Sequence, residues 1–532
     1  VGGAGNGVFV ATLSAAATCN GPLNIGLSPS GTGLVRAVGS GAVNANAGVG
    51  VGGSPNASGG TGTLRAEAGG DISVSGLFRV WANGIVVAQS GSTLDSASTI
   101  ELCPGGVAQV DSGTISGPAI LLTGSASVAG TGATLTGIGT MNANISGTGF
   151  GNLIAPTGAL TLGNSASTLG FDSTNITSNI GAHTLTLLDR NAAVVGNTTL
   201  TAGTLDAPNG ITVASTKTIS GGGTIDAPTI TLGGGINATT PQGFVIKGIA
   251  SGAGGLTGTL FDFSNTGGFT GSGTINSQIR GTTGSIITAT GNLSLGTASS
   301  VGFSFDGTLR TNANQITLHD TSTAFVGNIE MAGGTVFCTD TDMTSDIGDV
   351  TSGFGTIATS GRTWLNAGTI RPSGAGTDAT GQIGSFGNVN MENVFNSAVL
   401  DMDIGGTAAA DVDKLAVLGA LTLDGTLRVR FVPGYVPAGG EVYTIVTASS
   451  MTGAFTSVDL PPRTLLFVNT NNVQIGAMCP ADQNGDGAVD GDDVIEFFAV
   501  WDAGNPAGDF NSDGGVDGDD VIGFFEHWDS GC

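Results

Sequence analysis

The amino-acid sequence predicts an all-β protein, and within that class it favours a right-handed parallel β-helix, which is a type of β-solenoid. From residue 8 to about residue 475 the chain consists of short runs in which apolar and polar residues alternate, for example residues 159–162 and 292–295, with Gly, Asn, Ser and Thr between them. Alternation with a period of two between turn-forming residues predicts β-strands. This region keeps no capped apolar stripe of helical period over three turns, so helices are expected there only as incidental elements.

An internal repeat points to the solenoid. The motif Gly-x-Gly-Thr, followed by Ile, Leu or Met, occurs five times, beginning at Gly60, Gly137, Gly221, Gly271 and Gly353. Unequal spacing is typical of a solenoid, because each coil contacts only its neighbours and the loops vary in length. We expect the glycines to let the chain turn a corner, with Thr and the following apolar residue on opposite faces of the next strand. At ~22 residues per coil, about 20 coils are expected. A large antiparallel β-sandwich or a string of small β domains is the alternative.

Composition and charge narrow the function classes. Glycine accounts for 95 of the 532 residues and aromatic residues for only 5%, so the core must consist of Val, Ile, Leu and Ala. The net charge is −26, and residues 479–532 contain 14 acidic side chains but no Lys or Arg. This charge disfavours nucleic acid and membrane surfaces as partners.

No apolar run is long enough to span a membrane, and the chain begins at Val1 without a signal peptide. We expect a mature exported chain, located outside the cell or at its surface.

A distal region carries a family resemblance. The segments GTIRPSG (368–374), LDMDIGG (400–406), DKLAV (413–417) and LTLDGTL (421–427) resemble the distal passenger region of autotransporter-like bacterial β-helix proteins. The resemblance implies a secreted β-helix that ends in a wider capping sheet.

These observations divide the chain into four predicted parts. They are an N-terminal strand segment (1–13), the β-helix body (14–399), a β-rich capping region (400–478) and a C-terminal module (479–532). Only three residues separate the last predicted strand from the module, so we expect the module to lie against the capping region.

Two acidic segments in the C-terminal module, residues 482–493 and 509–520, share a 12-residue pattern. Oxygen-bearing side chains stand at positions 1, 3, 5, 9 and 12, and Gly stands at position 6, where a calcium loop turns sharply. Position 7 contributes a backbone carbonyl in such loops, and position 12 is Asp in place of the usual Glu. The pattern predicts two Ca²⁺ sites. The predicted ligands are Asp482, Asn484, Asp486, Ala488, Asp490 and Asp493 in the first site, and Asp509, Asn511, Asp513, Gly515, Asp517 and Asp520 in the second.

Each predicted loop leads into an apolar stripe of helical period. The stripes consist of Val494, Ile495, Phe498 and Trp501, and of Val521, Ile522, Phe525 and Trp528. The pair of loop–helix units resembles a type I dockerin, and the closing Gly531-Cys532 resembles the dockerin-like modules at the ends of surface proteins in planctomycete-type bacteria. The resemblance implies calcium binding and a partner such as a cohesin-like protein.

The five cysteines lack the spacing of a zinc site. Cys479 and Cys532 bracket the C-terminal module, and a disulfide between them would staple its ends at a gain of roughly 4 kcal/mol. Cys19 and Cys103 are a second possible pair, which would leave Cys338 unpaired. The alternative is that these last three are small buried hydrophobic residues.

The region before residue 479 offers little for catalysis. Its histidines, His183 and His319, lie far apart in sequence, and we interpret the neighbours His319 and Asp320 as a surface pair. The four aspartates between residues 340 and 349 favour a solvated loop over an additional weak cation site. The sequence therefore predicts no catalytic residues and no enzyme activity.

The expected function is that of a secreted, non-enzymatic structural protein that forms a fibre, sheath or layer at the cell surface or outside the cell. The calcium-binding module would serve for anchoring or subunit contact. Expected partners are further copies of the chain, paired head to tail through residues 8–13, or a cohesin-like surface partner. Two alternatives stay open. A monomeric adhesin or glycan-binding β-helix would need a groove with aromatic platforms, and a polysaccharide-degrading enzyme would need clustered acid and base residues.

Overall fold

The structure is a computed structural model that describes the chain except residues 128–129, 264–265, 299–301, 339, 360, 374–379, 386, 392–396, 512 and 531–532. It is 56% strand and 6% helical, and its strands form a parallel β-solenoid of about 17 turns with a short C-terminal helical part. The predicted fold class is confirmed. The chain divides into two compact units, Val1–Ile286 and Ile287–Cys532.

The first unit contains strands β1 to β33. Their bounds are β1 Asn6–Thr12, β2 Ala16–Cys19, β3 Leu23–Ile25, β4 Thr32–Val38, β5 Ala42–Ala45, β6 Val49–Val51, β7 Gly53–Ser54, β8 Ala57–Ser58, β9 Thr61–Glu67, β10 Asp71–Val74, β11 Phe78–Val80, β12 Gly84–Gln89, β13 Thr93–Ser96, β14 Ile100–Leu102, β15 Val107–Thr123, β16 Thr134–Thr148, β17 Asn152–Gly163, β18 Ile176–Gly181, β19 Thr184–Leu188, β20 Ala193–Val195, β21 Thr198–Leu200, β22 Thr204–Asp206, β23 Ile211–Val213, β24 Thr218–Gly221, β25 Gly223–Asp226, β26 Thr229–Leu232, β27 Gly235–Ala238, β28 Phe244–Ile246, β29 Ile249–Gly252, β30 Leu256–Gly258, β31 Leu260–Phe263, β32 Gly268–Ile275 and β33 Gln278–Gly281.

The second unit contains the remaining elements, and β34 begins at the last residue of the first unit. The strands are β34 Ile286–Gly296, β35 Phe303–Asn312, β36 Gln315–His319, β37 Ala324–Cys338, β38 Met343–Ser345, β39 Val350–Ala358, β40 Thr363–Asn366, β41 Thr369–Arg371, β42 Gln382–Ser385, β43 Asn388–Met391, β44 Val399–Ile404, β45 Lys414–Val417, β46 Ala420–Leu423, β47 Thr426–Phe431, β48 Val442–Thr447, β49 Ser450–Gly453, β50 Ser457–Asp459, β51 Thr464–Val468 and β52 Asn472–Ala477. The helices are α1 Gly491–Asp502 and α2 Gly518–Ser530, with single 3₁₀ turns at Ala409–Asp411 and Pro506–Gly508.

Three parallel ladders define the coil of the first unit. The first runs β1–β4–β9–β12, the second β2–β5–β10–β13 and the third β3–β6–β11–β14. The 17-residue β15 then pairs with β12, β13 and β14 in turn, so one long strand follows all three faces of the coil. A coil is longer than ~22 residues where loops are inserted, as between the paired Thr32 and Thr61, and this explains why the coils are fewer than expected.

Aliphatic side chains stack in register to form the core. On the third face, five residues from consecutive coils pair one above the next and are fully buried: Ile25, Val51, Val80, Leu102 and Leu122. Alternate residues of these strands face outward, as the period-two pattern predicts. The aliphatic core predicted from the composition is therefore present.

The Gly-x-Gly motif of the third repeat turns the corner between β24 and β25, as predicted. In the third repeat Gly221 has φ +110°, and a Cβ at this position would lie 1.8 Å from the carbonyl oxygen of Leu200 in the preceding coil. Both the backbone angle and the close approach exclude a side chain. The following Thr224 is half-buried and Ile225 is fully buried, so they occupy opposite faces of the strand.

The second unit continues with parallel pairing as far as β50, which pairs with β47. Antiparallel pairs then appear, β48 with β52 and β52 with β51. These pairs lie within the predicted capping region, whose boundaries stay predictions.

Asp413 is a fully buried carboxylate in the second unit. It accepts hydrogen bonds from the amides of Gly381 (2.7 Å) and Asp403 (2.9 Å). Burial raises the pKa of its carboxyl group to about 7. The side chain thereby ties the segment before β42 to β44.

Candidate metal-binding module

The C-terminal helices pack around two stacked phenylalanines. Phe497 of α1 and Phe524 of α2 are fully buried, and their rings are parallel with centroids 4.2 Å apart. The predicted apolar stripes include Ile495 and Ile522 instead, but these side chains are 68% and 59% exposed. Positions i, i+3, i+4 and i+7 share a helix face, so a stripe that starts at Val494 includes Phe497 and excludes Ile495.

The predicted loops have the same internal geometry. In each, the carboxylate at position 12 is fully buried and accepts hydrogen bonds from the amides of positions 2, 3 and 9, at 2.7–3.0 Å. The donors are Gln483, Asn484 and Asp490 to Asp493, and Phe510, Asn511 and Asp517 to Asp520. The hydrogen bonds from Asn511 and Asp517 hold the pKa of Asp520 below its ordinary value.

Side-chain oxygens at positions 3, 5 and 9 also follow one pattern in both loops. Each accepts a hydrogen bond of 2.8–3.0 Å from the amide two residues further on. The acceptors are Asn484, Asp486, Asp490, Asn511, Asp513 and Asp517. At position 1, Asp482 and Asp509 each accept two loop amides at 2.9–3.1 Å. Backbone amides therefore hold every predicted side-chain ligand in place.

Each helix reaches into the loop of the other repeat. The indole of Trp501, in α1, donates to the carbonyl of Asp517 at 2.7 Å, and the indole of Trp528, in α2, donates to the carbonyl of Asp490 at 3.2 Å. Asp490 and Asp517 both occupy position 9 of their loops. The two repeats are therefore joined by reciprocal contacts as well as by the phenylalanine stack.

The donor set of the loops fits a hard divalent cation. Each loop contains five aspartates and no basic residue, and oxygen ligands of this kind are those that Ca²⁺ prefers. Carboxylates accept up to about four hydrogen bonds or metal contacts, so those that bond to amides retain capacity for a cation. Across the part of the chain that the structure describes, no three His, Cys, Asp or Glu side chains are grouped closely enough to hold a metal ion. The predicted calcium sites thus stay a prediction.

Arg463 connects the module to the capping region. It precedes β51 and donates to the carbonyl of Pro480 at 2.5 Å and to the side-chain oxygen of Gln483. Its guanidinium also lies 5.8 Å from the ring centroid of Phe510. Gln483 and Phe510 both occupy position 2 of their loops, so one side chain contacts both repeats.

The cysteines differ in state. Cys479 is disulfide-bonded, and its predicted partner Cys532 lies outside the described residues. Cys19, Cys103 and Cys338 are free, so the possible pairing of Cys19 with Cys103 is wrong. Cys19 ends β2 in the first coil, whereas Cys103 follows β14 in the fourth, a separation of about 14 Å along the ladder that a disulfide cannot span. Burial raises the pKa of Cys103 and of Cys338 to about 11, which keeps both thiols protonated at neutral pH.

His319 and Asp320 do not form the expected pair. Asp320 is fully buried, and its carboxylate accepts hydrogen bonds from the amides of Gly302 and Phe303, both at 2.7 Å. His319 faces the outside, where its Nδ1 lies 2.7 Å from a carboxylate oxygen of Asp340 and its Nε2 lies 3.0 Å from Oγ of Ser294. This cluster was not predicted. The one feature of the sequence that indicates it is the separation of 25 and 21 residues between Ser294, His319 and Asp340, which is about one coil each.

The aspartates between residues 340 and 349 have separate roles. Asp340 contacts His319, Asp342 accepts the amide of Thr363 at 2.9 Å, and Asp349 is buried and accepts the amide of Asp346 at 2.7 Å. Burial raises the pKa of Asp349 to about 6. The contacts of Asp342 and Asp349 are structural, so the expectation of a wholly solvated loop is wrong for Asp349.

A surface cavity of about 370 Å³ lies on β35, β37 and β39. An ion pair between Arg310 and Glu330, at 2.6 Å, forms part of its wall, and the other lining residues are Asn312, Met331, Ala332, Ser352 and Gly353. This lining contains no aromatic side chain, whereas the glycan-binding alternative requires an aromatic platform.

Among the described residues, the helices are too short to cross a membrane. Comparison of the chain with models of known protein families found no match, and comparison with curated protein sequences found none either.

Proposed function

We propose that the chain is a secreted structural protein, in which a parallel β-solenoid assembles with further copies at or outside the cell surface and a C-terminal module binds two calcium ions. The observation that carries this proposal is the pair of acidic loops with one shared hydrogen-bond pattern. Two separate segments adopt the same geometry only if the spacing of their oxygen side chains is specific, and this spacing is that of calcium loops. A structural role needs no reaction site, and the dockerin resemblance suggests that the module provides anchoring or subunit contact.

Charge supports the requirement for a cation. Ten aspartates occupy the two loops, and no Lys or Arg is present between residues 479 and 532. Without a cation these carboxylates repel one another, so binding of Ca²⁺ and ordering of the module are coupled. The contacts of Arg463 extend this coupling to the capping region.

Calcium titration of the full chain, followed by calorimetry, tests the metal sites. The wild type should bind two Ca²⁺ ions, and Asp493→Ala and Asp520→Ala should each bind one, because each variant lacks the position-12 carboxylate of one loop. Asp502→Ala is the matched control, since Asp502 lies at the exposed end of α1 outside both loops. Absence of calcium uptake by the folded wild type, with equal module stability in chelator, would refute the metal sites.

Self-association is supported by two apolar strand edges. Strand β1 pairs with β4 and exposes Val8 (67%) and Leu13 beside it (87%). Strand β51 pairs with β52 and exposes Leu465 and Phe467. Strand edges that expose apolar side chains pair readily with other strands, and a contact between two different edges builds an open fibre or a ring.

Light scattering and electron microscopy at rising protein concentration, in calcium, test the assembly. The wild type should form particles larger than a monomer, and Val8→Glu should reduce their size, because a charge would be buried in the contact. Thr12→Glu is the control, since this exposed position lies on the same strand and is polar. A wild type that stays monomeric at high concentration would refute this part of the proposal. Particles of Val8→Glu as large as those of the wild type would refute it as well.

A further inference from the structure

We propose that Ser294 is an activated nucleophile that accepts acyl groups from carboxylic esters. This inference goes beyond the structural role, replaces the expectation of no enzyme activity and depends on neither calcium nor assembly. It rests on the cluster of Ser294, His319 and Asp340, which three successive coils place on one outer face of the second unit.

The distances are those of a nucleophile, a base and a residue that orients the base. Oγ of Ser294 lies 3.0 Å from Nε2 of His319, and Nδ1 of His319 lies 2.7 Å from a carboxylate oxygen of Asp340. A serine within hydrogen-bond reach of a histidine that is itself held by a carboxylate is the arrangement that activates hydroxyl nucleophiles.

The contacts assign the proton positions. An ionised carboxylate only accepts hydrogen bonds, so the neutral imidazole must carry its proton on Nδ1 and donate it to Asp340. Nε2 is then free to accept the hydroxyl proton of Ser294. This is the tautomer that a general base for Ser294 requires.

Neighbouring contacts fix the three residues. Ser294 lies within β34, and His319 ends β36, which pairs with β34 in parallel register. The next residue, Asp320, anchors the backbone through its buried carboxylate. On the other side, the thiol of Cys338 donates to the carbonyl of Thr341 at 3.4 Å and closes the turn that carries Asp340. Ser294 and His319 lie on paired strands and are therefore preorganised, which lowers the cost of reaching the reactive geometry.

The cluster is accessible to solvent and to esters. The side chains of His319 and Asp340 are 30% and 31% exposed, and Ser294 is half-buried.

In the reaction, Oγ of Ser294 attacks the carbonyl carbon of the ester while its proton moves to Nε2 of His319. The bond to the leaving oxygen then breaks, Nε2 returns the proton to the leaving alcohol, and Ser294 retains the acyl group. Attack by water, with its proton passing through Nε2, releases the acid and restores the hydroxyl.

Labelling of the full chain with a fluorophosphonate probe, with the modified peptide identified by mass spectrometry, tests the proposal. The wild type should be labelled at Ser294, because Nε2 of His319 accepts the hydroxyl proton as the serine reacts. Ser294→Ala should abolish this label, and His319→Gln should slow it by about 100-fold, the lower end of what a general base contributes. Ser304→Ala is the matched control and should label normally, since Ser304 is an exposed serine on β35.

Asp340 is a positioning residue, so Asp340→Asn should lower the labelling rate and change its dependence on pH while circular dichroism stays that of the wild type. Hydrolysis of p-nitrophenyl acetate should follow the same order among the variants. A wild type whose Ser294 is not labelled above Ser304, or a label at Ser294 that is unchanged in His319→Gln, would overturn the proposal. The wild-type result decides the matter even if a variant fails to fold.

Discussion

Replacement of Arg463 by alanine should release the C-terminal module from the capping region. The variant loses the hydrogen bonds to the carbonyl of Pro480 and to Gln483, and also the cation–π contact with Phe510. A hydrogen bond from a charged donor contributes about 1.5 kcal/mol at the low end, and an exposed cation–π contact about 0.5 kcal/mol. The low values apply because Arg463 is at the surface, and for two hydrogen bonds and one cation–π contact they amount to roughly 3.5 kcal/mol. The population of the undocked module should therefore rise roughly 300-fold.

Backbone strain contributes equally to the wild type and to Arg463→Ala, so it does not affect the comparison of the two proteins. Arg463 has φ +59°, in the left-handed region, but alanine at the same position carries a similar strain. The backbone hydrogen bond from Met478 to the carbonyl of Arg463, at 2.9 Å, is available to both residues. The difference between the proteins thus reports the side chain alone.

Hydrogen exchange followed by mass spectrometry measures the effect. Peptides that cover residues 478–490 should exchange up to about 300-fold faster in Arg463→Ala, while peptides from the first unit should not change. Arg190→Ala serves as the control, because Arg190 is an exposed arginine of the first unit. Equal exchange at residues 478–490 in the folded variant and in the wild type would show that the side chain does not hold the module.

Two further predictions concern the solenoid. Gly221→Ala should destabilise the chain by about 3 kcal/mol or more, because it combines a strained backbone angle with a Cβ 1.8 Å from the carbonyl oxygen of Leu200. Gly255→Ala, where a Cβ meets nothing within 4 Å, should change the urea midpoint little, and similar midpoints for both variants would contradict the corner argument. Asp413 has a folded-state pKa of about 7, above the ordinary value of 3.8 that applies when unfolded, so the folded state binds the extra proton between these values. The wild type should accordingly lose up to a few kcal/mol of stability between pH 4 and pH 8 relative to Asp413→Asn, measured by urea unfolding at each pH, and parallel pH profiles would be evidence against this titration.

Much of the solenoid could be predicted because its determinants are local. The corner at Gly221 follows from a requirement of the backbone at that residue, and the alternation of Thr224 and Ile225 follows from strand geometry. The number of coils could not be predicted as well, since it depends on which residues pair across the ladder. The coil between the paired residues Thr32 and Thr61 contains the additional hairpin of β7 and β8. No residue of the Gly-x-Gly repeat indicates that this hairpin is inserted there.

The calcium loops could be predicted from local sequence, whereas the cluster of Ser294, His319 and Asp340 could not. The oxygen side chains of the loops lie within 12 residues, so their spacing could be recognised directly. Ser294 and His319 are brought together by the register of β34 and β36, and Asp340 follows β37, the next strand of that ladder. Sequence spacing without the register does not place the three residues together. The phenylalanine stack differs from the prediction because the predicted stripe begins correctly at Val494 but includes Ile495 in place of Phe497.

The reciprocal tryptophan contacts make the module an obligate pair within one chain. Each half, a loop and its helix, leaves its position-9 carbonyl to be satisfied by the indole of the other half, and each contributes one ring to the shared stack. A single half is therefore comparable to one subunit of a dimer that has no folded monomer. Truncation after α1 would therefore remove the fold of the first loop along with the second.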